Sequence, residues 1–165
     1  MTRKPVHILF LCTGNSARSI LAEAILARDG HGRFRAFSAG IRPRGEIHPL
    51  TLELLVTLGI PTRGLRCKGL HEFAGSSAPE MDAVISVCEE PAAGSLPALP
   101  GSPVTARWEI PDPAKIPWDD NASRTAFLET YLALHGRIAR LVALPFGSLS
   151  RETLRDRIEE IGRTE

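Results

Sequence analysis

The chain has 165 residues, 43% of them apolar and 24% charged, a balance that suits one globular domain over residues 1–165 and excludes a disordered chain. Twenty Lys and Arg against nineteen Asp and Glu leave a net charge of +1. This excludes nucleic-acid or anionic-membrane binding driven by bulk charge and points to a small or local partner. The three cysteines, Cys12, Cys67 and Cys88, are odd in number and widely spaced, so they read as cytosolic thiols rather than as a disulfide framework or a CxxC metal knuckle.

The N-terminal stretch up to Cys12 has the look of a lipoprotein signal, but its apolar run, 6–11, is shorter than an h-region of about 7–15 residues, and Phe10 and Leu11 are not the small residues a cleavage site needs. No apolar run approaches the roughly 20 residues that span a bilayer, so the expected location is the cytoplasm. The run Val6-His7-Ile8-Leu9-Phe10-Leu11 is rich in β-branched and aromatic residues and predicts a buried strand. A helix follows from Ser19, where Ile20, Leu21, Ala24 and Ile25 recur at helical spacing until Asp29-Gly30 stops them. Residues 34–39 predict a second strand, ended by Gly40. Pro49 suits a first helical position, and Leu50, Leu54, Leu55 and Leu58 form a stripe closed by Gly59 and Pro61. Residues 83–87 predict a third strand and 104–108 a shorter fourth. Pro and Gly crowd the stretch 89–117 between and beyond them, which reads as a long functional loop region. In the tail, Phe127, Tyr131, Leu134, Ile138 and Leu141 repeat at helical spacing, and Leu154, Ile158 and Ile161 mark a last helix after a Ser150 cap.

Strands that alternate with helices and are apolar on both faces predict one doubly wound, three-layer α/β domain with a short parallel sheet of about four strands. Reacting groups in such sheets collect at the carboxyl ends of the strands. Three loops there carry chemistry: 12–19, the segment after Cys88, and the segment around Asp112.

The loop Cys12-Thr13-Gly14-Asn15-Ser16-Ala17-Arg18-Ser19 joins a strand to a helix N-terminus. Gly14 and Asn15 tolerate unusual backbone angles, so Thr13, Gly14, Asn15, Ser16 and Ala17 can aim successive N–H groups inward as an anion-binding nest. The adjoining helix adds its positive end, and Arg18 adds a planar donor fork suited to a tetrahedral oxyanion. A thiol among those donors is placed to react as the nucleophilic thiolate, with Ser19 donating to the sulfur from the far side. Taken alone, Cys12 would read as a small buried apolar residue; Arg18, Ser19 and the strand-to-helix setting reverse that. The loop lacks both the Lys-Ser/Thr ending of a nucleotide P-loop and a GxGxxG.

The run 8–24, with Phe37-Ser38-Ala39-Gly40, His48-Pro49-Leu50, Gly64-Leu65-Arg66-Cys67-Lys68, Val84-Ile85-Ser86-Val87-Cys88 and Asp112-Pro113-Ala114, resembles the low-molecular-weight protein tyrosine phosphatase superfamily, in particular its arsenate reductase branch. The resemblance covers nearly the whole chain and implies the phosphatase-I-like form of the fold. It implies Cys12 as nucleophile, Arg18 as oxyanion clamp and Asp112 as general acid; the residue before Pro113 is held extended, so its carboxyl stands on a stiff loop. Alone, Asp112-Pro113 would read as an ordinary turn.

Two chemistries share that first step. In a phosphatase, water hydrolyses the phosphocysteine; in a reductase, a second thiol attacks the Cys12–arsenic adduct and arsenite leaves. Cys88 ends the third strand at the sheet edge that bears Cys12, where the resemblance places a first resolving cysteine; alone it reads as a buried strand-end thiol. Ala114-Lys115-Ile116 replace the aromatic residues that wall a phosphotyrosine ring in the phosphatases. Residues 93–96 lack the further cysteine of the thioredoxin-coupled relay, so the expected product is a Cys12–Cys88 disulfide or a glutathione-type adduct on Cys12. An external thiol system, glutathione/glutaredoxin or thioredoxin, would reduce it, and no tightly bound cofactor is expected. The expected ligands are small tetrahedral oxyanions: arsenate, phosphate, sulfate. A non-catalytic oxyanion-binding module is the third reading. Asn15 and Ser38 are expected to brace the loop; Glu23 either supports it or is a solvated helix residue. Such positions surround an alkali-metal ion in some relatives. Cys67 is expected to be a bystander and His48 a helix-entry residue near the site, and the five histidines show no metal-ligand spacing.

Overall fold

Val6–Cys12 forms β1, the strand on which the rest of the sheet is laid. In this computed structural model, which describes residues 4–88 and 99–163, β1 pairs in parallel with β2 (Phe34–Gly40) on one side and β3 (Ala83–Ser86) on the other. β3 in turn pairs with β4 (Val104–Arg107). The order β2-β1-β3-β4 reverses direction between β1 and β3, and the carboxyl ends flanking that switch are where an open α/β sheet binds its ligand. Cys12 stands at one of those ends and Cys88 just beyond the other.

Among the described residues four α-helices accompany the sheet: α1 (Arg18–Asp29), α2 (Pro49–Thr57), α3 (Asp120–Val142) and α4 (Arg151–Arg163). Three short 3-10 turns, Leu70–Phe73, Pro113–Lys115 and Phe146–Ser148, went unpredicted, because three or four residues cannot display a period. The α3 stripe was legible, but its start at Asp120 lies ahead of it, set by Asp119, whose side chain accepts from Ala122 N–H at 2.8 Å. Both central strands are apolar on both faces as expected. The edge strands are not: Arg35 and Thr105 point into solvent, since an edge strand is covered on fewer sides than a central one.

Alternation along β1 divides the core. Ile8 and Phe10 face α1, α3 and α4 with Leu21, Ile25, Trp108, Leu134 and Ile158. Leu9 and Leu11 face the other way, onto Leu70, Phe73, Met81 and Phe37. None of the α-helices contributes to that second cluster; the 3-10 turn at Leu70–Phe73 and the chain leading to Met81 cover it, so the third layer is thin. Trp108, fully buried after β4, donates its indole N–H to Ile158 O at 2.9 Å. Gly162 packs on it so closely that a Cβ there would lie 2.5 Å from the indole. This locks α4 to the strand that leads into the Asp112 loop. No helix among the described residues is long and apolar enough to cross a membrane.

Candidate active site

The loop after β1 is shaped by where its carbonyls go. Ile41 N–H donates to Cys12 O (3.1 Å), Arg42 N–H to Thr13 O (2.9 Å), Arg44 N–H to Gly14 O (3.0 Å), His48 N–H to Ser16 O (3.0 Å) and Leu21 N–H to Ala17 O (2.8 Å). Thr51 adds a second bond to Ser16 O at 2.9 Å. With its carbonyls drawn outward into the segment 41–51, the loop can present N–H groups inward, the arrangement that binds anions. Asn15 makes the turn, at φ 49°, a left-handed conformation that Asn tolerates better than most residues. Gly14 does not use the freedom expected of it. Its contribution is space, because a Cβ there would stand 3.0 Å from the Arg44 side chain. Gly40 is needed for the same reason, with a Cβ 2.9 Å from Thr13 O and 3.0 Å from the Asn15 backbone.

α1 begins with Ala17 at its N-cap position and no side-chain cap. The other α-helices are capped by His48, Asp119 and Ser150, which accept from Leu50, Ala122 and Thr153 N–H respectively. First-turn N–H groups need partners, and α1 alone among these helices begins beside the cavity without a side-chain cap.

Cys12 is 2% exposed. Its sulfur lies 3.2 Å from Asn15 N–H and 2.8 Å from Ser19 Oγ. The direction of these bonds follows from Asn15: its Oδ1 accepts from Lys68 N–H at 2.8 Å, so its amide nitrogen must face Ser19 Oγ (2.7 Å) and Ser38 Oγ (3.0 Å). Ser19 oxygen therefore accepts from Asn15, and its own hydrogen is free for the sulfur. Two donors aimed at Sγ suit a thiolate. Ser38 donates to Glu23 Oε1 at 2.5 Å, so Glu23 belongs to the bracing and is not a solvated helix residue.

Arg18, also buried, donates to Ile110 O at 3.0 Å and holds its other terminal nitrogen 3.7 Å from Asp112 Oδ2. Asp112 serves both readings of its motif. Oδ1 accepts from Ala114 N–H at 2.9 Å and caps the 3-10 turn, while Oδ2 faces Arg18. The cavity between them has a volume of about 100 Å³ and is lined by Cys12, Thr13, Gly14, Ser16, Ala17, Arg18 and Asp112, with Cys88, Arg44 and Lys115. A volume of this size has room for one small tetrahedral anion. No aromatic side chain lines it among the described residues.

The fold thus brings Cys12, Arg18, Asp112 and Cys88 to one cavity, with Ser19, Asn15, Ser38 and Glu23 behind it. Cys88 is buried, with Ser86 Oγ 3.4 Å from its sulfur. Cys67 lies on the outer side of the loop, its thiol donating to Gly14 O at 3.3 Å. Residues 89–98 of the expected 89–117 loop lie outside the described residues. His48 is the expected helix-entry residue: it caps α2 and packs at a tilt on Phe127, ring centroids 4.8 Å apart. Burial and the Arg44 guanidinium hold its imidazole below the usual histidine range, against an upward pull from Asp112. Three residues escaped sequence reasoning. Arg44 and Lys115 reach the cavity from exposed segments without a motif, and Lys68 enters the bracing from the run Arg66-Cys67-Lys68, which as a sequence shows only a thiol between two cations. No group of three or more His, Cys, Asp or Glu side chains among the described residues is arranged to hold a metal ion.

Residues 7–154 match the model of the low molecular weight phosphotyrosine protein phosphatase family. An arsenate reductase of Staphylococcus aureus (strain Newman) is 31% identical over 124 residues, covering 73% of this chain and 86% of that protein. The thioredoxin-dependent arsenate reductase of Corynebacterium glutamicum superposes with a TM-score of 0.60 at 27% identity, over 85% of this chain and 62% of the other, so this chain spans under two thirds of that protein's length. An arsenate reductase from Archaeoglobus fulgidus gives 0.59 at 26% identity, over 80% and 98%. A low molecular weight protein tyrosine phosphatase from T. tengcongensis shares the fold, with a TM-score of 0.64 at 24% identity over 83% and 97%.

Proposed function

The chain belongs to the low molecular weight phosphotyrosine protein phosphatase family, and from that premise we propose that it is a thiol-dependent arsenate reductase. The observation that carries this reading is the shared cavity: two buried thiols, Cys12 and Cys88, line a space sized for one oxyanion and free of aromatic walls among the described residues.

Arsenate enters with its oxygens on the inward loop N–H groups and on Arg18. The Cys12 thiolate attacks arsenic, an arsenic–oxygen bond breaks, and Asp112 protonates the departing oxygen as water. The loop donors and Arg18 hold the negative charge throughout. The Cys88 thiolate, or an external thiol, then attacks Cys12 Sγ. A sulfur–sulfur bond forms, the sulfur–arsenic bond breaks, and its electron pair passes to arsenic, so As(V) becomes As(III) while two thiols become one disulfide. An external thiol system, glutathione/glutaredoxin or thioredoxin, restores both, a cycle that suits the reducing cytoplasm.

A phosphatase reading draws on one specific feature. The chain has three cysteines, with none besides Cys88 between residues 68 and 165, so the further thiol of a relay is lacking. Water would then hydrolyse a phosphocysteine. The deciding experiment measures arsenate-dependent thiol consumption, with glutathione/glutaredoxin and with thioredoxin, against aryl phosphate hydrolysis in wild type, Cys12→Ser and Cys88→Ser. The reductase reading expects arsenite release and a Cys12 disulfide by intact mass. Efficient hydrolysis insensitive to Cys88, with no arsenate reduction, overturns it.

A further inference from the structure

We propose that Arg44 and Lys115 form a carboxylate subsite at the mouth of the cavity, and that it takes the reductant of the proposed reaction: a small thiol with a carboxylate on either side of its sulfur, the chemistry of glutathione. The inference rests on the reductase reading and names its second substrate. Cys12 is 2% exposed and Cys88 1%, and both line a space of about 100 Å³. A disulfide between them therefore lies deep in that space. The chain has one other cysteine, Cys67, which is not among the cavity-lining residues and points its thiol at Gly14 O, so no further thiol of this chain stands in the cavity to carry the oxidation outward. The reductant must enter. A small molecule suits an opening of this size better than a thiol fixed on the surface of a folded protein.

The mouth selects among small thiols by charge. Arg18 is buried, whereas Arg44 and Lys115 are exposed and border the same cavity. They arrive from separate segments. Arg44 packs against Gly14, where a Cβ would stand 3.0 Å from its Cγ and Nε, and Lys115 ends the 3-10 turn that Asp112 caps. Neither side chain forms a hydrogen bond or ion pair among the described residues, so both charges are open to a ligand. With no aromatic side chain among the described lining residues, the mouth offers no stacking wall but two cations, and a guanidinium and an ammonium both bind carboxylates. The thiolate of the entering molecule attacks Cys12 Sγ: a sulfur–sulfur bond forms, the Cys12–Cys88 bond breaks, and Cys88 leaves as a thiolate that takes up a proton. A second molecule attacks the first one's sulfur, frees the Cys12 thiolate and departs with it as a symmetrical disulfide. Two reductant thiols thus become one disulfide and both protein thiols are restored.

The test reads Cys12 without arsenate. In a Cys67→Ser, Cys88→Ser background, Cys12 is converted to its thiopyridyl disulfide, and release of thiopyridone by glutathione, uncharged mercaptoethanol and cationic cysteamine is followed by absorbance. Each rate is taken per thiolate and relative to the same protein unfolded in urea. Glutathione should outrun mercaptoethanol by about tenfold, the gain that two contacts of exposed-ion-pair strength give, and the preference should fade at about 1 M salt. Adding Lys115→Gln, which leaves Arg44 on Gly14, should remove about threefold of it, and Arg44→Gln with Lys115→Gln nearly all. Arg44→Glu with Lys115→Glu should favour cysteamine. No preference with the natural rim, a preference that survives the double glutamine change, or thioredoxin exchanging faster than glutathione per thiolate overturns the proposal, the last by making a protein the partner. If the Arg44 variants do not fold, an unchanged preference in Lys115→Glu overturns it equally. A protein that shows the preference yet reduces no arsenate keeps this subsite and loses the reductase reading; one that reduces arsenate without the preference loses the subsite alone.

Discussion

The two thiols of the cavity are held very differently. Cys12 is enclosed by a loop whose carbonyls are bonded outward to residues 41–51 and to α1, and its sulfur receives two donors, the Asn15 N–H and a Ser19 hydroxyl oriented through the Asn15 side chain. Cys88, equally buried, follows a four-residue strand, with Ser86 Oγ 3.4 Å from its sulfur. The contrast teaches that the step that must recognise and hold an anion needs a preorganised cage, whereas the step that resolves the adduct needs a thiol able to approach it.

Removing either thiol tests this division most severely. Cys12→Ser should lower both arsenate reduction and aryl phosphate hydrolysis by more than about 10³-fold, measured as initial rates. Cys88→Ser should abolish multiple-turnover reduction with thioredoxin yet leave aryl phosphate hydrolysis near wild type; a parallel loss of both would place Cys88 in the cage and break the comparison. Asp112→Asn comes next. It removes the proton for the leaving oxygen, so the first step should slow by roughly 10²–10⁴-fold, read by single-turnover adduct formation on Cys12.

Gly40→Ala is a smaller perturbation directed at the cage wall. Its methyl would crowd Thr13 O and Asn15, and a destabilisation of about 1–3 kcal/mol, measured by urea unfolding, should accompany weaker phosphate binding. The smallest effect is a pH dependence. Neutral His48 caps α2 through Nδ1, and its folded-state pKa lies below the unfolded value of 6.5. The cap's contribution is therefore complete above pH 6.5 and is lost as pH falls through the lowered folded value. A cap is worth about 1 kcal/mol. Wild type should thus lose slightly more thermal stability between pH 7.5 and 5.5 than His48→Asn, whose amide caps without titrating.

What the sequence made legible follows the range of each interaction. The cage sits in eight consecutive residues, and its chemistry is local: a turn, a helix start, a Cys and an Arg. The sheet was legible because β1 and β3 are buried on both faces and carry unbroken apolar runs. The edge strands were legible in their bounds, 34–39 and 104–108 against Phe34–Gly40 and Val104–Arg107, but they are not apolar on both faces, since partial cover admits residues such as Arg35 and Thr105. Lys68 was invisible as a site residue because its partners Glu23, Ser38 and Asn15 are 30 to 53 residues away, and nothing in the run Arg66-Cys67-Lys68 shows that the chain there bonds to the end of β2. The double duty of Asp112 was equally hidden, because a capping turn and a cavity carboxylate have the same two-letter signature.

The uncapped start of α1 couples chemistry to stability. An anion that occupies those N–H groups binds the native chain and not the unfolded one, so by mass action it must raise the unfolding free energy, by about 2.7 kcal/mol at a hundredfold excess over its dissociation constant. Phosphate and sulfate buffers will therefore report a sturdier protein than chloride buffers do. The same anions will compete with arsenate for the groups that confer that sturdiness, so stability and inhibition should rise together along one binding curve.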